Sequence, residues 1–195
     1  MPEAQIPISI KDNLLGNSEY FVQGKEDNNK ETILLFVGSL FYANLYGIRW
    51  FVNEVMPEIK CKLIIVGKDM SKVEAQLKGK NTNIEVISNA PSLIEFYKKA
   101  DIIVLPIFTG SGMKVKTAEA LMFGKTIVGT TEAFLGYEIS EKVGVICNNK
   151  QEFVKAICDI SDNVKSCNYN KFSRNLFLQK YSFDATIELF EKILA

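Results

Sequence analysis

The chain has 195 residues, 47% of them apolar and 24% charged, with 23 basic and 23 acidic side chains. That is ordinary globular usage at the length of one large domain able to bury a full core. Zero formal charge excludes a general nucleic-acid binder or a polybasic membrane anchor, and the absence of histidine removes the usual parts of zinc and Ser-His or Cys-His sites.

The N-terminus, MPEAQIPISIKDNLLG, lacks a charged-then-apolar signal pattern, and no apolar run approaches the ~18 residues of a membrane span. Residues 1–30 are polar and read as a linker or as the trimmed edge of a preceding domain. Lys25 to Lys30 is a solvated stretch, and Ser18–Val22 has the composition of a short edge strand. From Ile33 the pattern becomes regular. Ile33 to Gly38 is an unbroken apolar run ending in glycine, as a parallel strand covered on both faces requires. Leu45, Ile48, Phe51, Val52, Val55 and Met56 then recur at helical spacing, and Pro57 is expected to end that helix.

Leu63–Gly67 is a second buried strand, Lys68–Lys80 a polar helix, Ile84–Ile87 a third strand and Leu93–Lys99 a short helix after Pro91. Ile102–Leu105 is a fourth strand. A glycine-broken loop, a helix over about Met113–Phe123, a stop at Gly124 and a strand at Thr126–Gly129 follow. Val143–Cys147 is a last short strand. Residues 151–165 and 168–180 read as helices, and Tyr181–Ala195 as a terminal helix with Phe183, Ile187, Phe190 and Leu194 on one face. The alternation predicts an α/β fold: a Rossmann-like doubly wound parallel sheet of about six strands over residues 31–180, with a C-terminal helix over 181–195. Cys61, Cys147, Cys158 and Cys167 are scattered, so reduced thiols in a cytoplasmic protein are expected.

The stretch most able to carry chemistry is Asp101–Thr130. Gly110-Ser111-Gly112 joins a strand end to a helix start, where free N–H groups and the helix dipole favour an anion. A tight turn explains such glycines equally well. The spacing fits neither the dinucleotide G-x-G-x-x-G nor the P-loop. Ser111 adds a hydroxyl and Lys114 a charge. Glu119 lies about 40° around the helix from Val115, toward a stripe of Val115, Ala118 and Met122. A carboxylate there needs a partner, either Lys116 or Lys125 or the diol of a ribose. Gly38 and Ser39 end the first strand at the same sheet edge. Asn44 reads as a helix cap or an amide donor, and the Ser88–Pro91 loop, with Asn89, is placed to hold a flat base.

These residues resemble a known family. The string from Pro106 to Thr130 is similar to the donor-binding segment of GT-B glycosyltransferases, in particular the retaining family called glycosyl transferases group 1. Phe36-Val37-Gly38-Ser39-Leu40, Asn44, Trp50-Phe51, Met56-Pro57, Leu63–Gly67 and Tyr97 through Ala100–Pro106 agree in order. The resemblance covers residues 31–195. It implies the C-terminal, donor-binding half of an enzyme that moves a sugar from a nucleoside diphosphate (NDP) sugar, uridine- or guanosine-linked, to a hydroxyl. The acceptor-binding N-terminal domain would be missing from this chain. Glu119 would hold the ribose, and Gly110, Ser111, Gly112, Met113 and Lys114 would contact diphosphate and sugar, with no metal or other cofactor. A full enzyme of this kind would be cytoplasmic, with peripheral association at the inner membrane face left open.

The sequence also departs from that pattern. Ser111 stands where many members carry a sugar-binding glutamate. Ser39 and Asn44 stand where many carry an arginine and a lysine that neutralise the diphosphate. Lys114, Lys116 and Lys68 are the candidate replacements. Two other readings stay open: a nucleotide-sugar epimerase on the same fold, and a non-catalytic partner module with a degenerate site. The terminal helix either packs on this sheet or crosses toward another domain with its apolar face exposed.

Overall fold

A computed structural model describes residues 7–14, 31–79, 81–163 and 168–194. Six strands form one parallel sheet: β1 (Ile33–Val37), β2 (Lys62–Gly67), β3 (Ile84–Ser88), β4 (Ile102–Leu105), β5 (Thr126–Gly129) and β6 (Gly144–Ile146). Their spatial order is β3-β2-β1-β4-β5-β6. The chain winds outward from β1 in one direction, then returns to pair β4 on its other side, with Leu34 opposite Ile102 and Leu35 opposite Ile103. The strand order therefore reverses between β1 and β4, and a crevice opens at their C-terminal ends.

The unbroken apolar runs have a simple cause. Leu34 and Phe36 point into one core and Leu35 into the other, so both faces of the strand are covered. One layer holds α1 (Tyr42–Trp50), α2 (Glu74–Lys78) and α5 (Lys150–Asn163). The other holds α3 (Ile94–Lys99), α4 (Val115–Met122) and α6 (Lys171–Leu176). The fold is the doubly wound α/β sheet expected from the sequence.

Boundaries differ in instructive places. The first helix does not stop at Pro57: α1 runs on through a π-helical turn at Phe51–Val55 and a 3-10 turn at Met56–Glu58. Pro57 lies in the opening turn of that last piece, where no intrahelical N–H donor is needed. The polar helix begins as a 3-10 turn, Met70–Val73, and α2 ends at Gly79, whose φ is 51°. The edge strand expected at Ser18–Val22 and the stretch from Lys25 to Lys30 lie outside the described residues.

Not all of the opening segment is a solvated linker. Leu14 is buried, and Asp12 forms a buried ion pair with Arg174 of α6. The final helix, α7 (Phe183–Leu194), buries none of its residues, and Phe183, Ile187, Phe190 and Leu194 are all exposed. Among the described residues, no helix is long and apolar enough to cross a membrane.

One backbone contact sets the wall of the crevice. A methyl built on Gly47 of α1 would sit 1.7 Å from the Pro106 carbonyl oxygen, just past β4. Gly47→Ala should therefore destabilise the fold by about 1–3 kcal/mol. It should do so even though alanine favours a helix interior by roughly 0.5–1 kcal/mol. A lower urea midpoint in equilibrium unfolding is the expected result, and an unchanged or higher one would refute the contact.

Candidate functional site at the reversal of strand order

Two groups of residues flank the crevice. On the β1–β2–β3 side, Val37, Gly38, Gly67, Lys68, Asn89 and Leu93 line a cavity of about 460 Å³, and Ser39 lies at its edge. Backbones approach closely there: a Cβ on Gly67 would lie 1.8 Å from the Gly38 carbonyl oxygen. Asn89 has a left-handed φ of 56°, and its Oδ1 accepts from the Asp69 N–H at 3.2 Å. That pairing fixes the loop after β3 against the loop after β2. Lys68 is exposed.

The glycine loop lies on the β4 side. Gly110 and Gly112 have φ of 136° and 67°, which an L side chain resists, and Gly110, Ser111 and Gly112 are exposed. The side chains flanking the loop are already engaged. Lys114 pairs with Glu132 at 2.7 Å, donates to the Gly112 carbonyl, and its own carbonyl accepts from the Tyr137 hydroxyl at 2.7 Å. The Met113 side chain is packed against Gly136 and the opening segment. It packs where a Cβ on Gly136 would meet it at 2.5 Å, and its sulfur accepts from the Ile8 N–H. Met113 thus anchors the loop by packing.

Asn44 is not a helix cap. Phe41 occupies the cap position of α1, and Asn44 lies three residues further on. Its amide instead ties the two sides together: Nδ2 donates to the Ser39 carbonyl at 3.0 Å, and Oδ1 accepts from the Lys116 ammonium. The Lys116 Nζ stands 5.5 Å from the Phe36 ring centroid. Burial pushes its pKa down to about 8, with the neighbouring Glu119 charge opposing that and Lys114 adding to it.

Glu119 is half-buried on α4. Burial raises its carboxyl above the ordinary range, while the Lys116 charge and a hydrogen bond from the Tyr97 side chain act the other way. Val115 is exposed rather than part of the apolar stripe. The buried face is formed by Thr117, Ala118, Ala120, Leu121 and Met122. The other candidate partner, Lys125, is buried and donates to the carbonyls of Ala100 and Asn168. Sequence reasoning missed Glu132, Tyr137 and the role of Tyr97 as a neighbour of Glu119. None of the three carries a local signal, since each meets its partner only through the fold.

A sequence model of the family described as glycosyl transferases group 1 matches residues 31–163. The chain belongs to the glycosyl transferases group 1 family. It is 28% identical over 162 residues to an uncharacterized 44.6 kDa protein in the cps region of Klebsiella pneumoniae, an alignment covering 75% of this chain and 42% of that protein. Among solved structures, it resembles sucrose-phosphate synthase of Thermosynechococcus elongatus, with a TM-score of 0.73 at 17% identity, over 97% of this chain and 51% of that one. It also resembles Anabaena HepE in complex with UDP and glucose, with a TM-score of 0.65 at 15% identity, over 84% and 48%. A third likeness is to WaaG, a glycosyltransferase involved in lipopolysaccharide biosynthesis, with a TM-score of 0.64 at 16% identity, over 95% and 54%. The fold of this family member is thus one half of a GT-B architecture, and the chain spans about half the length of the proteins it matches.

Proposed function

We propose that this chain is the donor-binding domain of a glycosyltransferase. The observation that carries this reading is the convergence at the reversal of strand order. Lys116 bridges to Asn44 across the crevice, Glu119 stands beside it, and exposed backbone of the glycine loop flanks both. In this reading the Glu119 carboxylate accepts two hydrogen bonds from a ribose diol. The base lies in the cavity between Gly38 and Asn89, and the diphosphate meets the loop N–H groups and the start of α4. Charge on the diphosphate is met by these groups rather than by a metal.

The full enzyme would break the bond between the sugar anomeric carbon and the diphosphate oxygen. It would form a bond from that carbon to an acceptor hydroxyl, which loses its proton, with the anomeric configuration retained. Negative charge grows on the leaving diphosphate, and oriented donors at that oxygen lower the barrier. The acceptor and its binding groups would come from a further domain. Polysaccharide assembly is the proposed role, in keeping with the likeness to WaaG, and the cytoplasm is the proposed setting.

Calorimetric titration with UDP-glucose, GDP-mannose and ADP-glucose tests this. Weak binding of one base class and no sugar transfer by this chain alone are the expected results. Failure to bind any of the three, with far-UV circular dichroism intact, would favour the partner-module reading. Measurable transfer by the chain alone would refute the division of labour between domains.

A further inference from the structure

Three lysines could meet a diphosphate at this site, and the structure separates them. Lys114 is engaged, with a carboxylate of Glu132 at 2.7 Å and a side chain only 12% exposed. Lys68 is solvated at the far side of the cavity. Lys116 differs from both. It is partly buried, its ammonium is held by the neutral amide oxygen of Asn44, and it lies over the Phe36 ring. Among the described residues no carboxylate lies within ion-pair distance of that ammonium.

We propose that Lys116, presented by α4 and aimed across the crevice by Asn44, is the cation that receives the diphosphate of the bound nucleotide sugar. This rests on the donor-binding reading above and assigns within it a role that Ser39 and Asn44 cannot fill themselves. Asn44 becomes a positioning residue. Its amide spans the Ser39 carbonyl and Lys116, so the loop after β1 orients a charge supplied by α4. A half-desolvated ammonium that closes no ion pair among the described residues has already lost part of its hydration, so an incoming anion gains more from it than from a solvated lysine.

The groups facing Lys116 are Glu119 on α4, Lys114 just before it, Asn44 on α1 and Phe36 on β1, with Tyr97 and Tyr137 bordering Glu119. Glu119 attracts the ammonium, but as ribose ligand it would be turned to the diol. Its attraction also favours the charged form, which is the form that binds. The free Lys116 titrates near pH 8, so binding should be strongest below that pH. It should weaken as pH rises through about 8, until the higher pKa of the complex is reached.

The test uses whichever of UDP-glucose, GDP-mannose and ADP-glucose binds the wild-type chain. None of these diesters titrates near pH 8, so a proton taken up from the buffer on binding is added to the protein. Titration at pH 8 in two buffers of different ionisation enthalpy should show net proton uptake by wild type. Lys116→Met should bind about ten- to a hundredfold more weakly, as loss of one charge-assisted contact implies. The same variant should take up no proton, and Lys116→Arg should recover most of the affinity. Wild-type binding without proton uptake at pH 8 would overturn the assignment even if the variants fail to fold. So would a Lys116→Met variant that binds within twofold of wild type. If the wild-type chain binds none of the three, the donor-binding reading itself has failed, and this assignment falls with it.

Discussion

Asp12→Ala should lower the melting temperature by about 6–20 °C. The pair it breaks is closed to solvent, with side-chain exposures of 4% for Asp12 and 8% for Arg174. Arg174 donates to both carboxylate oxygens of Asp12, to Oδ1 at 2.9 Å, and to the Met122 carbonyl at 2.9 Å. Its guanidinium also lies 5.4 Å from the Phe177 ring centroid. Removing the carboxylate leaves a buried guanidinium without its counter-ion, which costs roughly 3–5 kcal/mol. At about 2–4 °C per kcal/mol for a domain of this size, that gives the stated range. Replacing both partners at once, as Asp12→Leu with Arg174→Met, should restore much of the loss, since no charge is then stranded. A shift below about 2 °C for Asp12→Ala would mean that the opening segment is not part of the cooperative unit.

Glu119→Ala should weaken nucleotide-sugar binding by at least about a hundredfold, because it removes both charge-assisted hydrogen bonds to the diol at roughly 1.5–3 kcal/mol each, and Glu119→Gln, which keeps one oxygen acceptor, by about tenfold. The same substitutions should act in the opposite direction on the free protein. Burial raises the folded-state pKa of Glu119. Such a group contributes stability that is present below its unfolded value and lost as pH rises through the folded value. At neutral pH its charge therefore opposes folding, and Glu119→Gln removes that opposition. Melting at pH 7 should be unchanged or higher while affinity falls. A fall in both would mark Glu119 as a structural carboxylate, and unchanged affinity would exclude it as the ribose ligand.

Most of the sheet could be read from the sequence because both of its faces are covered. Continuous runs such as Leu34–Val37 and Ile102–Leu105 admit few other readings, and the glycines just after β1 and at the end of β2 mark where the backbones converge. Helix ends were less legible. The reach of the first helix past Pro57 depends on a switch to tighter turns that proline tolerates, which the apolar spacing does not report. At the site, the positions of Gly110–Lys114 and Glu119 on a strand, loop and helix followed from local pattern. The pairings did not. Lys116 meets Asn44 from 72 positions away, and Lys114 meets Glu132 from 18. Asp12 meets Arg174 across 162 positions, and a polar opening stretch gives no hint of it. Local spacing encodes which face a residue occupies, and only the assembled sheet decides what it faces.

The glycine at position 47 bears on the order in which the chain assembles. A glycine inside a nine-residue helix leaves that helix poorly able to form alone, since short helices are marginal even without one. Its seat against Pro106 exists only once β4 lies beside β1, and the chain must first traverse β2 and β3 to supply that strand. The helix that delivers Asn44 to the crevice should therefore consolidate late, after a contact between distant parts of the chain. Such non-local pairing slows folding. It also means that a partly folded chain would hold its central strands before it holds a complete site.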